Sequence, residues 1–358
     1  MRPGRIHIHS FTRGKDVETA YVDYLGDPHL YDSGMKVTVV YRRSEDWCNK
    51  RDKMSALRAI LRERLPKIPK FYPTVTRLTL EGVRGRPTQR VTEDKQEIVD
   101  YIPVPSSLSH IRTVQITDLY KVTALCMDVD QVRWENRPWA FKLTSYNPKG
   151  NLREISILDQ LSHSPFVIQL EGIVIDRHNF IRGFITPFMP RGDLANVLEM
   201  RHTDQGVTND DGTTIALGWS IKLSWANQIT RSTHAIPACH GDIKPRNVLT
   251  NETGQALLID FCPGGITNAF AAPEILAIIN DPETDIKNEI TAMADMYSLG
   301  LVLYVLAEET TEAALPLVWR NGGTPMWYRE AVQQCLAEDC DARPTAVELL
   351  HTLDVSTL

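Results

Sequence analysis

The stretch HGDIKPRNVL, residues 240–249, sets a histidine, a glycine, an acid, a lysine and an asparagine within eight positions and then turns apolar. Asp242 offers a carboxylate, Lys244 a positive charge two positions beyond it, and Asn247 an amide. Eighteen positions after Asp242, LLIDFC carries a second acid, Asp260, at the end of an apolar run. Read singly, each residue has a plain alternative. Asp242 can be a turn residue leading into a strand, Lys142 in WAFK a lysine snorkelling from a strand, and Glu154 in LREISILDQL an exposed helix charge. Their joint order along the chain decides between the readings.

Downstream of LLIDFC come AAPEIL, DMYSLGLVLYVL and DARPTAVELL; upstream of the first stretch come WAFK, REISILDQLSHSPFVIQLEGIV and ITPFMPRGDL. Over roughly residues 112–355 this series resembles the eukaryotic protein kinases. WAFK is similar to the strand V-A-I-K, residues 240–247 to the catalytic loop H-R-D-x-K-x-x-N, and the later segments to D-F-G, A-P-E and the terminal R-P-T region. The resemblance implies a serine/threonine-type enzyme that moves the γ-phosphoryl group of ATP to a Ser/Thr hydroxyl of a protein substrate, with ATP and Mg²⁺ as cofactors. It assigns Lys142 to the α/β-phosphates, with Glu154 orienting it. Asp242 accepts the hydroxyl proton, Lys244 acts near the transferred phosphate, and Asn247 and Asp260 hold metal. The ATP pocket then comprises Ala140, Lys142 and the hinge Thr186, Pro187, Phe188 and Met189, with Thr186 gating its rear. Alternation in WAFK puts Ala140 and Lys142 on one strand face. His240, Asp295 and a Glu274–Arg343 ion pair are implied as scaffold.

The chain departs from the family pattern in several places. DLYKVTALCMDVDQV holds no glycine where a glycine-rich loop belongs, so side chains stand where backbone N–H groups would approach a phosphate. Cys262 replaces the glycine of D-F-G, with Gly264 and Gly265 following. Gly241 replaces the arginine that pairs with a phosphorylated loop, so activity is expected to be indifferent to phosphate on Thr267, the one Ser/Thr between Asp260 and Glu274. With H-G-D-I-K-P-x-N, the shortness of that interval is similar to divergent kinase-like proteins of filamentous fungi. H-G-D also occurs in aminoglycoside and choline kinases, which phosphorylate small molecules; Lys244, the A-P-E at 272–274 and Arg343 argue against them. A pseudokinase, binding nucleotide or acting as a scaffold without turnover, is the third reading. The missing glycines favour it, and the intact Lys142, Glu154, Asp242, Asn247 and Asp260 oppose it.

Positioning these residues requires strands first and helices after, and the chain has that order. The expected class is α+β: a two-lobed protein kinase-like fold at 111–358, with a β-rich N-lobe at about 111–186 and a helical C-lobe at about 190–358. A small α+β region, 1–110, precedes it. There RIHIH, MKVTVVYRR and TRLTLEGV alternate as half-buried strands, and Leu57, Ile60, Leu61 and Leu65 recur at helical spacing. YIPVPSS, punctuated by prolines, reads as a linker.

At 42% hydrophobic and 23% charged, the 358 residues exclude a disordered or fibrous chain. The longest apolar run, MYSLGLVLYVLA, falls short of the roughly 20 residues of a membrane span and reads as a buried helix between Asp295 and Glu308. MRPGRIHIHSF lacks a signal peptide's apolar core, and the six cysteines lack metal-ligand spacing. A cytoplasmic or nuclear setting follows, with no membrane partner. The net charge of −6 hides an asymmetry: residues 42–90 hold 14 Lys/Arg against 5 Asp/Glu, and residues 91–358 hold 20 against 35. A basic segment on an acidic body suits contact with an acidic partner or nucleic acid, and a solvated helix face is the plainer reading. No nucleic-acid motif accompanies it, so a nucleic-acid partner is not expected.

Overall fold

The computed structural model describes all residues except 1–5, 14–16, 28, 32–33, 43–49, 82–87, 127, 145–146, 200–216, 238, 262–264, 280–285 and 356–358. The backbone divides into two units, Met1–Pro148 with Ile173–Gly183, and Lys149–Gly172 with Phe184–Leu358. The first unit runs past residue 110 and holds one sheet whole and most of a second, whose strand Ile181–Pro187 continues into the other unit.

The first sheet contains β1 (Ile6–Arg13), β2 (Val17–Tyr24), β3 (Met35–Arg42), β4 (Val75–Glu81) and β5 (Thr88–Glu93), hydrogen-bonded in that order. Only β3 and β4 run parallel, and a parallel pair needs a crossover, supplied here by α1 (Lys50–Arg64). The leucine spacing decides which face of α1 turns inward. Leu57, Leu61 and Leu65 are fully buried among Val37, Val39, Tyr41, Leu78 and Leu80, while Arg58 and Arg62 face solvent. Glu18 is buried on β2, and its carboxylate accepts the Tyr41 hydroxyl at 2.9 Å and Lys53 Nζ at 3.1 Å. That pairing satisfies a charge that would otherwise be costly to bury.

The second sheet is formed by β6 (Thr113–Gln115), β7 (Tyr120–Ala124), β8 (Val129–Trp134), β9 (Arg137–Leu143), β10 (Gly172–Ile175) and β11 (Ile181–Pro187), in the order β6-β10-β11-β9-β8-β7. Gly183 on β11 has φ +148, and a Cβ there would stand 2.1 Å from Lys142 O and 2.6 Å from Phe141 Cε2. Only glycine lets β11 approach β9 this closely. YIPVPSS, expected as a linker, is instead paired to the β10–β11 turn. Ile181 N donates to Ile102 O at 2.8 Å, Pro103 bridges Phe180, and the Arg182 guanidinium lies 4.2 Å from the centre of the Tyr101 ring. Proline removes only its own N–H, so the carbonyls and N–H groups around it remain free to pair.

The second unit contains α2 (Pro148–Gln160, from Lys149 onward), α3 (Leu194–Glu199), α4 (Trp219–Ala235), the hairpin β12 (Val248–Thr250) and β13 (Ala256–Leu258), α5 (Pro273–Ile278), α6 (Ile286–Glu289), α7 (Ala292–Glu308), α8 (Met326–Cys335) and α9 (Ala346–Val355). Every residue of MYSLGLVLYVLA is buried in α7, which explains an apolar run without an amphipathic pattern. Among the described residues no helix is long and apolar enough to cross a membrane. Thr291 caps α7 by accepting Ala294 N at 3.2 Å. At the other end Glu309 is left-handed (φ +54), and Lys222, 2% exposed, donates to Glu309 Oε1 and to Ala307 O, each at 2.8 Å.

The expected Glu274–Arg343 pair is present and bidentate, at 2.6 and 2.8 Å, with Arg343 also donating to Met293 O and Ala337 O. Its guanidinium holds the Glu274 carboxyl below the usual carboxylate value of 4.5. A depressed folded-state pKa contributes stability that is complete above the unfolded value and is lost as pH falls through the folded one. Glu274→Gln therefore lowers the melting temperature at neutral pH, and its gap to wild type closes as pH falls below 4.5. Melting curves across that range check this; a gap that widens in acid contradicts it.

Candidate active site

The loop from His240 to Asn247 is shaped by two backbone conformations and three buried anchors. Gly241 is left-handed, at φ +86, where a side chain would be strained, so its place in H-G-D has a conformational reason. Ile243 and Val248 are fully buried, and Asn247 ends the 3₁₀ turn Pro245–Asn247 before β12 pairs with β13. Asp295, buried in α7, accepts His240 N at 2.6 Å and Gly241 N at 2.8 Å. Burial pushes the Asp295 carboxyl up, against the pull of His240 and those two N–H groups. His240 Nε2 lies 2.9 Å from Ile259 O, and its Nδ1 lies 3.2 Å from Asp242 N. One tautomer, protonated on Nε2, satisfies both contacts. The ring thereby links the loop of Asp242 to the strand end that carries Asp260, which is the structural role expected of it.

The Asp242 carboxylate is 7% exposed and held from two sides. Lys244 Nζ donates to Oδ2 at 2.5 Å, and Thr267 N donates to Oδ1 at 3.0 Å. Asn247 Nδ2 donates to the Asp242 carbonyl at 2.8 Å, fixing the backbone beneath it. Lys244 Nζ also donates to Thr267 Oγ1 at 2.8 Å, so an alcohol oxygen already sits against the lysine beside the carboxylate. The arrangement can receive a proton at Asp242 and stabilise negative charge at Lys244.

Asp260 is left-handed at φ +69, a strained state for a non-glycine residue. Ile259 N donates to Asn247 O at 3.0 Å, which sets Asp260 beside the residue expected to share its metal. Asn247 Nδ2 is committed to Asp242, so Oδ1 is the amide's acceptor. A carboxylate and an amide oxygen are the hard donors Mg²⁺ takes together with substrate phosphates. Among the described residues no cluster of three or more His, Cys, Asp or Glu could hold a metal by itself.

Other expected residues stand in their own units. Ala140 and Lys142 are half-buried on one face of β9 in the first unit, with Trp139 and Phe141 buried on the other. Across the ladder Val129 pairs with Lys142 and Gln131 with Ala140, so both share that face; the sequence reading named neither. At the β7–β8 turn Leu125 N and Cys126 N both donate to Val129 O, at 2.9 and 3.1 Å. In the second unit Glu154 is buried on α2, Thr186 is buried near the end of β11, and Pro187, Phe188 and Met189 are half-buried. Cys262 and Gly264 lie outside the described residues.

Beyond Val129 and Gln131, two more contributors are not evident from the sequence. Thr267 was noticed as a hydroxyl, but not as a contact of both Asp242 and Lys244. Gly183 carried a signal, a lone glycine inside the strand pattern IRGFITP, which marks close backbone approach.

A buried carboxylate held beside a lysine, with an asparagine clasping its backbone and a second acid nearby, on a helical unit centred on a buried helix, is the arrangement that the resemblance to protein kinases implies. The sequence model of the family described as Protein kinase domain matches residues 131–315, just over half of the chain, and the chain belongs to that family. It is 22% identical to Serine/threonine-protein kinase 12 of Arabidopsis thaliana over 222 residues, 56% of this chain and 46% of that one. It is 25% identical to Serine/threonine-protein kinase RAD53 of Saccharomyces cerevisiae over 178 residues, 45% and 20% of the two chains. With Citron rho-interacting kinase of Rattus norvegicus the figures are 30% over 166 residues, 42% and 7%. The chain thus spans less than half the length of these relatives.

Proposed function

We propose that the chain transfers the γ-phosphoryl group of ATP to a serine or threonine hydroxyl of a protein, with Mg²⁺. The observation that carries this is the Asp242 carboxylate held by Lys244 Nζ and Thr267 N, with Asn247 clasping its carbonyl. Asp242 orients the substrate hydroxyl and takes its proton, and Lys244 meets the charge that develops on the transferred group. Lys142 binds the α/β-phosphates and Glu154 orients it; Ala140, Thr186, Pro187, Phe188 and Met189 bind the nucleotide. Asp260 and Asn247 hold Mg²⁺, which supplies charge neutralisation at the phosphates when bound. Purified protein incubated with labelled Mg-ATP and a panel of Ser/Thr peptides tests the reading. Label on hydroxyl side chains that requires Asp242 supports it, and none from wild type on any peptide defeats it.

A nucleotide-binding pseudokinase is the second reading, and one observation favours it. The N–H groups of Leu125 and Cys126 at the β7–β8 turn are spent on Val129 O, not presented outward as a phosphate cradle presents them. Binding of Mg-ATP without transfer is its signature.

The Thr267 contacts lead us to propose inhibition by loop phosphorylation in place of the indifference expected from Gly241. Its hydroxyl occupies the contact with Lys244, so a phosphate there claims the lysine and puts a dianion beside the Asp242 carboxylate. Stoichiometric phosphorylation of Thr267 is expected to lower transfer at least tenfold. Thr267→Ser keeps the contact and stays near wild type, and Thr267→Ala falls between. Peptide assays of the four forms check this; equal activity of modified and unmodified protein contradicts it.

A further inference from the structure

The connection between β2 and β3, residues 25–34, leaves its sheet and returns. Its base is pinched: Gly34 has φ +81, and a Cβ on it would stand 2.4 Å from Gly26 N. Its described tip, His29 to Tyr31, lies on the β7–β8 hairpin within the same unit. Lys121 N donates to His29 O at 2.8 Å, and His29 Nδ1 lies 2.8 Å from Lys121 O. The His29 ring stacks on Tyr120 with centroids 4.8 Å apart, and Leu30 bridges Tyr120 in antiparallel fashion. Tyr31 reaches deeper. Its hydroxyl donates to Asp130 Oδ2 at 2.6 Å, and its ring meets Phe141 edge-on at 5.0 Å.

Asp130 is 3% exposed, and its other oxygen accepts Lys121 Nζ at 2.7 Å. A buried carboxylate therefore ties both strands of the hairpin to a residue about a hundred positions away. Burial and the Asp130 carboxylate both push the Tyr31 phenol up, which keeps it a donor. In the ladder Asp130 faces Phe141, whereas Val129 and Gln131 face Lys142 and Ala140. Tyr31 thus braces the hairpin from the face opposite Lys142. The hairpin has no glycine to shape it around a phosphate, and this brace supplies stiffness from outside.

We infer that residues 29–31 form a clip that sets the position of the β7–β8 hairpin, making Tyr31 and Asp130 positioning residues for nucleotide binding. The nucleotide part rests on the kinase reading above. Tyr31→Phe removes one hydroxyl and keeps the ring, so it strips Asp130 of a partner without opening a void.

The test compares full-length wild type, Tyr31→Phe, Asp130→Asn, the double variant, and Tyr21→Phe, whose hydroxyl on β2 bonds Glu97 in the 3₁₀ turn Lys95–Glu97. Amide exchange is followed over residues 120–134 without nucleotide, and KM for ATP and kcat are measured separately. Tyr31→Phe is expected to speed exchange there about tenfold and to raise KM several-fold with kcat unchanged. The double variant should cost less than the two single effects combined, because both remove the same bond. Tyr21→Phe should change neither. Exchange unaltered in Tyr31→Phe overturns the clip. Faster exchange with unchanged KM, in protein that turns over, overturns the positioning role alone. A wild type that binds no Mg-ATP defeats the kinase reading and this role with it, which the exchange data distinguish from failure of the clip itself.

Discussion

Asp242→Asn leaves Mg-ATP affinity near the wild-type value and lowers transfer to a Ser/Thr peptide by about 10²–10⁴, the usual contribution of a positioned base. Asparagine matches aspartate in size, and its single oxygen can still accept from Lys244 or from Thr267 N, but not from both. The Asn247 amide bonds the backbone carbonyl of residue 242, so the loop keeps its shape when the side chain changes. What is lost is the charge that, in the proposed function, receives the hydroxyl proton. Asp260→Asn is the necessary contrast, because it removes the charge of the proposed metal ligand and should weaken Mg-dependent nucleotide binding as well as turnover. Nucleotide titration by calorimetry, with peptide transfer measured on the same preparations, separates the two. Transfer that survives Asp242→Asn undiminished would mean that the base is misassigned.

Lys222→Met is expected to destabilise the second unit by about 3–5 kcal/mol, the usual cost of removing one partner from a buried ion pair. The lysine is 2% exposed and Glu309 is 15% exposed, so neither charge has ready access to water. Removing Lys222 takes the buried cation away from Glu309, the left-handed residue after α7, and leaves the Ala307 carbonyl with Asn321 Nδ2, at 3.0 Å, in place of two side-chain donors. Methionine fills much of the same volume, so the loss is electrostatic more than steric. Adding Glu309→Gln should recover part of it. Urea unfolding of the single and double variants measures both terms; a change under about 1 kcal/mol for Lys222→Met would sink the assignment.

The second unit was legible in the sequence because its order of motifs is local. HGDIKPRN, AAPE and DARPT each hold their geometry within a few residues, and the Glu274–Arg343 pair follows from two of them. The buried helix was legible as well, since a twelve-residue apolar run between two acids has few other destinations. Contacts made across long separations were not. Nothing near Tyr31 announces Asp130, and nothing near Thr267 announces that its hydroxyl faces Lys244. YIPVPSS misled because proline signals where a helix or a central strand ends, and says little about whether neighbouring carbonyls find partners. The departures at Gly241 and in the β7–β8 turn were visible as letters. Their meaning, a left-handed backbone in one and N–H groups turned inward in the other, needed coordinates.

The pairing of Ile102 and Pro103 with residues 180 and 181 bears on where a gene for this chain can be cut. The family match starts at residue 131, inside β8, and a clone trimmed to that point begins in the middle of a ladder. A clone trimmed at 111 restores β6, β7 and the whole of β8, yet it strips the 101–104 stretch from its partners and the tyrosine from a buried carboxylate. Inheritance and folding draw their borders in different places here. The portion that descends as a recognisable module begins inside a unit that takes in the residues ahead of it as part of the same packed body.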